Sequence, residues 1–141
     1  MKINLDLVNW AAVAVAGVAA FMIGGIWYSA VFGKLWIKLQ GWSDEKVAEM
    51  KATMSPAKFL GGQLASCLVL AFTVALLVVT LELRTVTEGA CLGAILWLGP
   101  AAAIGLMGQL ASGRRGGLYF IDTGHQFVSL VTQGIIIASW R

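Results

Sequence analysis

Charge is what this chain has least of. Only 12% of its 141 residues are Asp, Glu, Lys or Arg, while 59% are apolar. Soluble domains carry roughly 25% charged residues, so the composition excludes a water-facing surface over most of the chain. Histidine occurs once, at His125, which excludes a multi-histidine metal site. Cysteine occurs twice, at Cys67 and Cys91, in separate apolar segments. At ~1.5 Å rise per residue their expected depths differ by about 10 Å, too far for a disulfide, so free, buried thiols are expected. There is no glycine-rich phosphate loop, no HExxH and no Cys-x-x-Cys pattern. No two carboxylates share a face in the way glycoside chemistry needs. Neither cofactor nor metal is expected, and an enzyme is the weaker reading. The net charge of +3 calls for no nucleic acid.

What the chain does have is long apolar runs. A membrane-spanning helix needs ~20 mostly apolar residues, and four stretches qualify, at about 7–32, 58–81, 88–110 and 118–140. The expectation is an all-α integral membrane bundle of four transmembrane helices. Residues 1–141 form one transmembrane domain, with a short amphipathic inner-surface helix in the connection 33–57. Lys2 before the first run imitates a secretory signal. The run is too long for a signal core, however, and Asp6, Asn9 and Trp10 interrupt its start.

Orientation follows from where the cations fall. Lys34, Lys38, Lys46, Lys51, Lys58, Arg114 and Arg115 lie in the two connections that share a side, seven against Lys2, Arg84 and Arg141, three, on the other. The positive-inside rule then puts both termini outside the cell (inner) membrane. The seven inner cations can meet anionic lipid headgroups.

Trp27 and Tyr28 read as an inner aromatic belt, Trp10 and Trp140 as an outer one. Leu35, Trp36 and Leu39 alternate with Lys34 and Lys38, as in a surface-lying segment. Ser43 precedes Asp44 and Glu45, an N-cap with acids in the first turn, which predicts a short helix from about Asp44 to Thr53. Pro56 suits the first position of the second span. Thr85-Val86-Thr87-Glu88 fits a capping box, and the short connection around it predicts that spans two and three pack as a hairpin. Gly89 and Gly93, Ala101 and Gly105, and the row Ala12, Ala16, Ala20, Gly24 form small-residue faces that allow close helix approach, within one subunit or between subunits. Pro100, inside the third span, removes a hydrogen bond and predicts a kink beside Trp97.

The fourth apolar segment carries the polar residues Asp122, His125, Gln126, Ser129 and Gln133, at offsets of three, four, seven and eleven. On a helix they share a face. At membrane depth that face has to meet protein, water or a solute. Asp122 fits an N-cap or first-turn acid, with Arg114 or Arg115 as an ion-pair partner at the inner mouth, and it can approach His125 one turn on. Gln63 and Gln109 are the expected cross-helix partners. A wet pathway and dry helix–helix glue both remain open.

The blocks Asn9-Trp10, Gly25-Ile26-Trp27-Tyr28-Ser29, Phe32-Gly33-Lys34-x-Trp36 and Leu118-Tyr119-Phe120-Ile121-Asp122-x-Gly124-His125 resemble a family of small four-span membrane proteins catalogued as domain of unknown function 1761. The resemblance covers nearly the whole chain; Ala30 stands where the family pattern has proline. It implies fold and membrane location and brings no activity. It also implies interest in Trp27, Tyr28, Lys34, Trp36, Asp122 and His125. Three functions fit these observations. The first is an oligomeric channel or small-solute, ion or proton transporter using the fourth-helix stripe. The second is a structural or accessory subunit among other membrane-protein subunits. The third is a lipid-modifying enzyme using Asp122, His125 and Arg114. In all three the chain sits in the lipid bilayer, and self-association into a homo-oligomer is expected.

Overall fold

The computed structural model describes residues 4–140, and every regular element among them is helical. Lys2 and Arg141, counted above for orientation, lie outside the described residues. Helix α1 (Trp10–Ile26) runs on through a π-helical turn (Trp27–Val31) to α2 (Gly33–Gln40). Helix α3 (Asp44–Thr53) and the long α4 (Pro56–Thr80) follow. Helix α5 (Val86–Leu96) continues through a second π-helical turn (Trp97–Ala103) into α6 (Ile104–Ser112), and α7 (Gly116–Ser139) closes the chain.

Local chemistry sets most of these boundaries. The Asn9 side chain accepts from the amide of Ala12 and starts α1. The Ser43 hydroxyl does the same for α3, and Ser55 with Pro56 for α4. Thr85 and Glu88 complete a reciprocal capping box at α5. Gly41 and Gly113, at φ +71° and +62°, end α2 and α6 in the left-handed conformation that a Cβ disfavours. Pro100 sits inside the second π turn, which joins α5 to α6 without a gap in the helix. The wider hydrogen-bond spacing of such a turn absorbs the missing donor locally.

Three of the helical stretches are long and apolar enough to cross a membrane: Trp10–Val31, Pro56–Thr80 and Val86–Ser112. Helix α7 is as long as they are but is not among them, because its polar residues dilute it. It is the helix the others surround, and α5, α1 and α4 all pack on it. The hairpin expected of spans two and three is therefore not the main packing unit. Helix α4 packs mostly on α1, and α5 mostly on α7.

Small residues make these approaches possible. A Cβ on Gly89 would strike the carbonyl oxygen of Gly134, and one on Gly134 would strike that of Gly89. Ala12 and Ala16 are fully buried in the core with Val74, Val78 and Leu130, Ala20 is buried as well, and Gly17 lies under Leu68. The predicted small-residue faces on α1 and α5 thus pack inside one chain. Cys67 and Cys91 are free thiols; Cys67 is half-buried, while Cys91 is exposed, contrary to the expectation of burial. Helix α3 stands off, with only Val47 and Met50 half-buried.

Candidate functional site

The residues with polar chemistry gather where α7 meets the π turn of α1. Tyr28 donates its hydroxyl to Asp122 Oδ1 at 2.8 Å, and Trp36 Nε1 donates to the same oxygen at 3.1 Å. Arg114 approaches the other oxygen, Oδ2, at 3.4 Å. Asp122 is the seventh residue of α7. It is therefore not the N-cap or first-turn acid expected from the sequence. Arg115 holds the cap position and makes no side-chain cap. Of the two expected ion-pair partners Arg114 is the one used; Arg115 turns away to the carbonyl of Lys38.

His125 lies one turn further along α7. Its ring sits against those of Tyr28 and Trp27, with centroids 5.2 and 6.3 Å apart, and Gly24 backs it. Its Nε2 is 3.2 Å from Ser129 Oγ, and the tautomer decides which group donates. Asp122 and His125 do not bond directly; Tyr28 stands between them, touching both. Beyond buried Ser129 comes Gln133, which is 0% exposed and donates Nε2 to the carbonyl of Cys67 at 3.1 Å. Its Oε1 has no partner.

Both π turns begin with a tryptophan clamped on α7. Trp27 Nε1 donates to the carbonyl of Ile121 at 3.0 Å, and Trp97 Nε1 to that of Thr123 at 2.9 Å. Their acceptors lie two residues apart on α7. Trp27 and Tyr28 thus serve α7 directly. Trp36 likewise reaches in from α2 to the carboxylate, whereas Lys34 stays exposed. The π turn at Pro100 is held by Trp97 and by Tyr119, whose hydroxyl donates to the carbonyl of Ala102 at 3.0 Å.

Three stripe expectations change. Gln126 is exposed while His125 beside it is half-buried, so the polar face divides. Gln63 is exposed on α4 and is not a partner of α7. Gln109 is buried but donates to the carbonyls of Arg114 and Arg115, pinning the turn that aims Arg114. The sequence reading named Gly24, Gly33 and Gly124 without giving them a place at the site, and did not single out Thr123. A Cβ on Gly33 would strike the carbonyl of Tyr28, and one on Gly124 would crowd Trp27. Their signal was a glycine beside each aromatic or polar block. Among the described residues no three His, Cys, Asp or Glu side chains come together to hold a metal.

A family model described as protein of unknown function (DUF1761) matches residues 11–138. The chain belongs to the DUF1761 family. No curated protein and no solved structure matches it. Of the sequence blocks on which the resemblance rested, those around Trp27-Tyr28 and Trp36 converge in space on Asp122 and His125 of the fourth block, while Asn9-Trp10 lies elsewhere, against Trp140 and Phe72.

The half-satisfied amide of Gln133 makes a prediction for this DUF1761 chain. An unpaired buried acceptor costs about 1–3 kcal/mol, and one interhelical bond in a membrane returns only ~0.6 kcal/mol. The carbonyl of Cys67 belongs to helix α4, whose own ladder also serves it. Gln133→Leu is expected to stabilise the protein by about 1 kcal/mol, read as a higher unfolding midpoint in detergent. A clear drop would mean that Gln133 is structural glue.

Proposed function

We propose that this DUF1761 protein is a multi-pass protein of the cell (inner) membrane that moves protons, or a small polar solute coupled to them, along the buried side of α7. Helix α7 is the fourth span, and the Arg114 end faces the cytoplasm. The supporting surface is inside-out: Ile95, Leu98, Ile104, Met107 and Leu110 are 65–73% exposed. In water such a face would drive aggregation, and in lipid it is at home. The observation that carries the transport reading is the unbroken contact line Asp122, Tyr28, His125, Ser129. It joins a partly exposed carboxylate to a half-buried imidazole, the one side chain whose ordinary pKa lies near neutrality. Gln133, held at an energetic cost, extends the line into the core.

Self-association belongs to the same reading. Gln63 and Gln126 are exposed amides on helices α4 and α7. Lipid cannot satisfy them, and a second copy can. The same amides also suit a different membrane protein, which is the accessory-subunit reading; purification in mild detergent as a stable hetero-complex would favour it.

Proteoliposomes with an internal pH dye and an imposed potential test transport. The native protein should pass protons, and His125→Phe, which keeps the ring contacts, should fall to the level of empty vesicles. Equal rates for the two proteins, or no flux under any ion or proton gradient, would overturn the proposal.

A further inference from the structure

A cleft of about 590 Å³ opens between α6 and α7 beside the site, lined by Leu106, Leu110 and Phe120 and by Gln109, Arg114 and Tyr119. Its apolar wall is strongly exposed, Leu110 at 73% and Phe120 at 75%. Of its three polar side chains two are committed. The Gln109 amide is tied to the carbonyls of Arg114 and Arg115, and the Tyr119 hydroxyl to the carbonyl of Ala102. Arg114 is the exception. Its one contact with Asp122 is 3.4 Å, and its side chain is 38% exposed. Charge-assisted bonds of this type close to ~2.7–2.9 Å when fully made, and a guanidinium has five donors to distribute. Asp122 does not depend on it, because Tyr28 and Trp36 already bond its other oxygen.

We propose that this cleft binds an anionic phospholipid, with its phosphate on Arg114 and its acyl chain along Leu106, Leu110 and Phe120. Charge complementarity selects the occupant. Residues 33–41 and 109–123 carry four cations, Lys34, Lys38, Arg114 and Arg115, and one carboxylate, Asp122, and the two segments meet where Arg115 donates to the carbonyl of Lys38. An acidic ligand relieves that excess, and an apolar wall beside a cation matches a phospholipid better than a free phosphate. Binding has a consequence for the neighbouring network. A phosphate that takes the Arg114 donors withdraws the guanidinium from Asp122 Oδ2 and leaves that carboxylate held by Tyr28 and Trp36 alone.

The inference rests on the membrane placement proposed above, and the experiment reads lipid mass rather than flux, so either can fail without the other. Purified protein is exchanged into micelles doped with equal phosphatidylglycerol and phosphatidylcholine, and retained lipid is read by native mass spectrometry. The native protein should keep phosphatidylglycerol in preference. Arg114→Gln should lose that preference several-fold, while Arg115→Gln, whose side chain points to Lys38, should retain it. Phe120→Ser, which leaves every charge in place, should weaken retention of the same lipid. Free inorganic phosphate should not displace it. Equal retention of the two lipids, an Arg114→Gln protein that binds like the native one, or equal losses for Arg114→Gln and Arg115→Gln would overturn the proposal.

Discussion

Gly134→Leu is expected to abolish folding, and even Gly134→Ala should cost about 3 kcal/mol, the upper end of ordinary overpacking. The reason is what surrounds the position. A methyl group there meets the carbonyl oxygen of Gly89, and the reciprocal position is equally closed, since a Cβ on Gly89 meets the carbonyl of Gly134 and Ala138 Cβ at 2.9 Å. One turn on, a Cβ at Gly93 would stand 2.5 Å from the carbonyl oxygen of Leu130. These obstacles are backbone atoms of two regular helices, which cannot rotate out of the way as a side chain would. Helices α5 and α7 would have to separate along their whole contact, the largest in the protein. The control is Gly108→Ala on α6, where an added Cβ meets nothing within 4 Å. There the helix-propensity gain of ~0.5–1 kcal/mol stands alone. Unfolding midpoints in detergent, with the yield of monodisperse protein, separate the two cases. A Gly134→Ala protein within about 1 kcal/mol of native would mean that the α5–α7 approach is looser than described.

The helix starts were legible because they depend on near neighbours. Ser43 before Asp44, Pro56 after Ser55, and Thr85 three residues before Glu88 each act within one turn, and each stands where the sequence placed it. The split in the α7 stripe was not legible. Gln126 and Gln133 occupy nearly the same angle on an ideal helix, at ~100° per residue, yet one is exposed and the other fully buried. The difference lies in depth. Cys67 of α4 covers Gln133, whereas residues Pro56–Gln63 of α4 are all exposed, leaving α7 uncovered near Gln126. Where α4 leaves α7 is a tertiary property, and no periodicity in α7 encodes it. The inward turn of Trp27 and Tyr28 was hidden for a similar reason. An aromatic pair at a helix end suits an interface belt as well as a contact, and only the π turn beginning at Trp27 aims both rings at α7.

Removing the carboxylate at the head of the α7 line should show whether it holds the fold or does chemistry. Asp122→Ala leaves three donors facing a gap: the Tyr28 hydroxyl at 2.8 Å, the Trp36 indole at 3.1 Å and Arg114 at 3.4 Å. Arg114 is exposed enough to turn to solvent or headgroups, so its share is small. The other two belong to half-buried side chains and account for a loss of about 2–3 kcal/mol. Asp122→Asn behaves differently. Its amide oxygen still accepts from Tyr28 and Trp36, so stability should fall by only about 1 kcal/mol. An amide cannot take up and release a proton at physiological pH, however, so under the transport reading its flux should fall as far as that of the alanine variant. The two substitutions thus divide one residue into a hydrogen-bond acceptor and a titratable charge. Parallel measurement of unfolding midpoint and proteoliposome flux gives each role its own outcome. An Asn variant with native flux would leave Asp122 as the clasp joining α1, α2 and α7, and would end its part in proton movement.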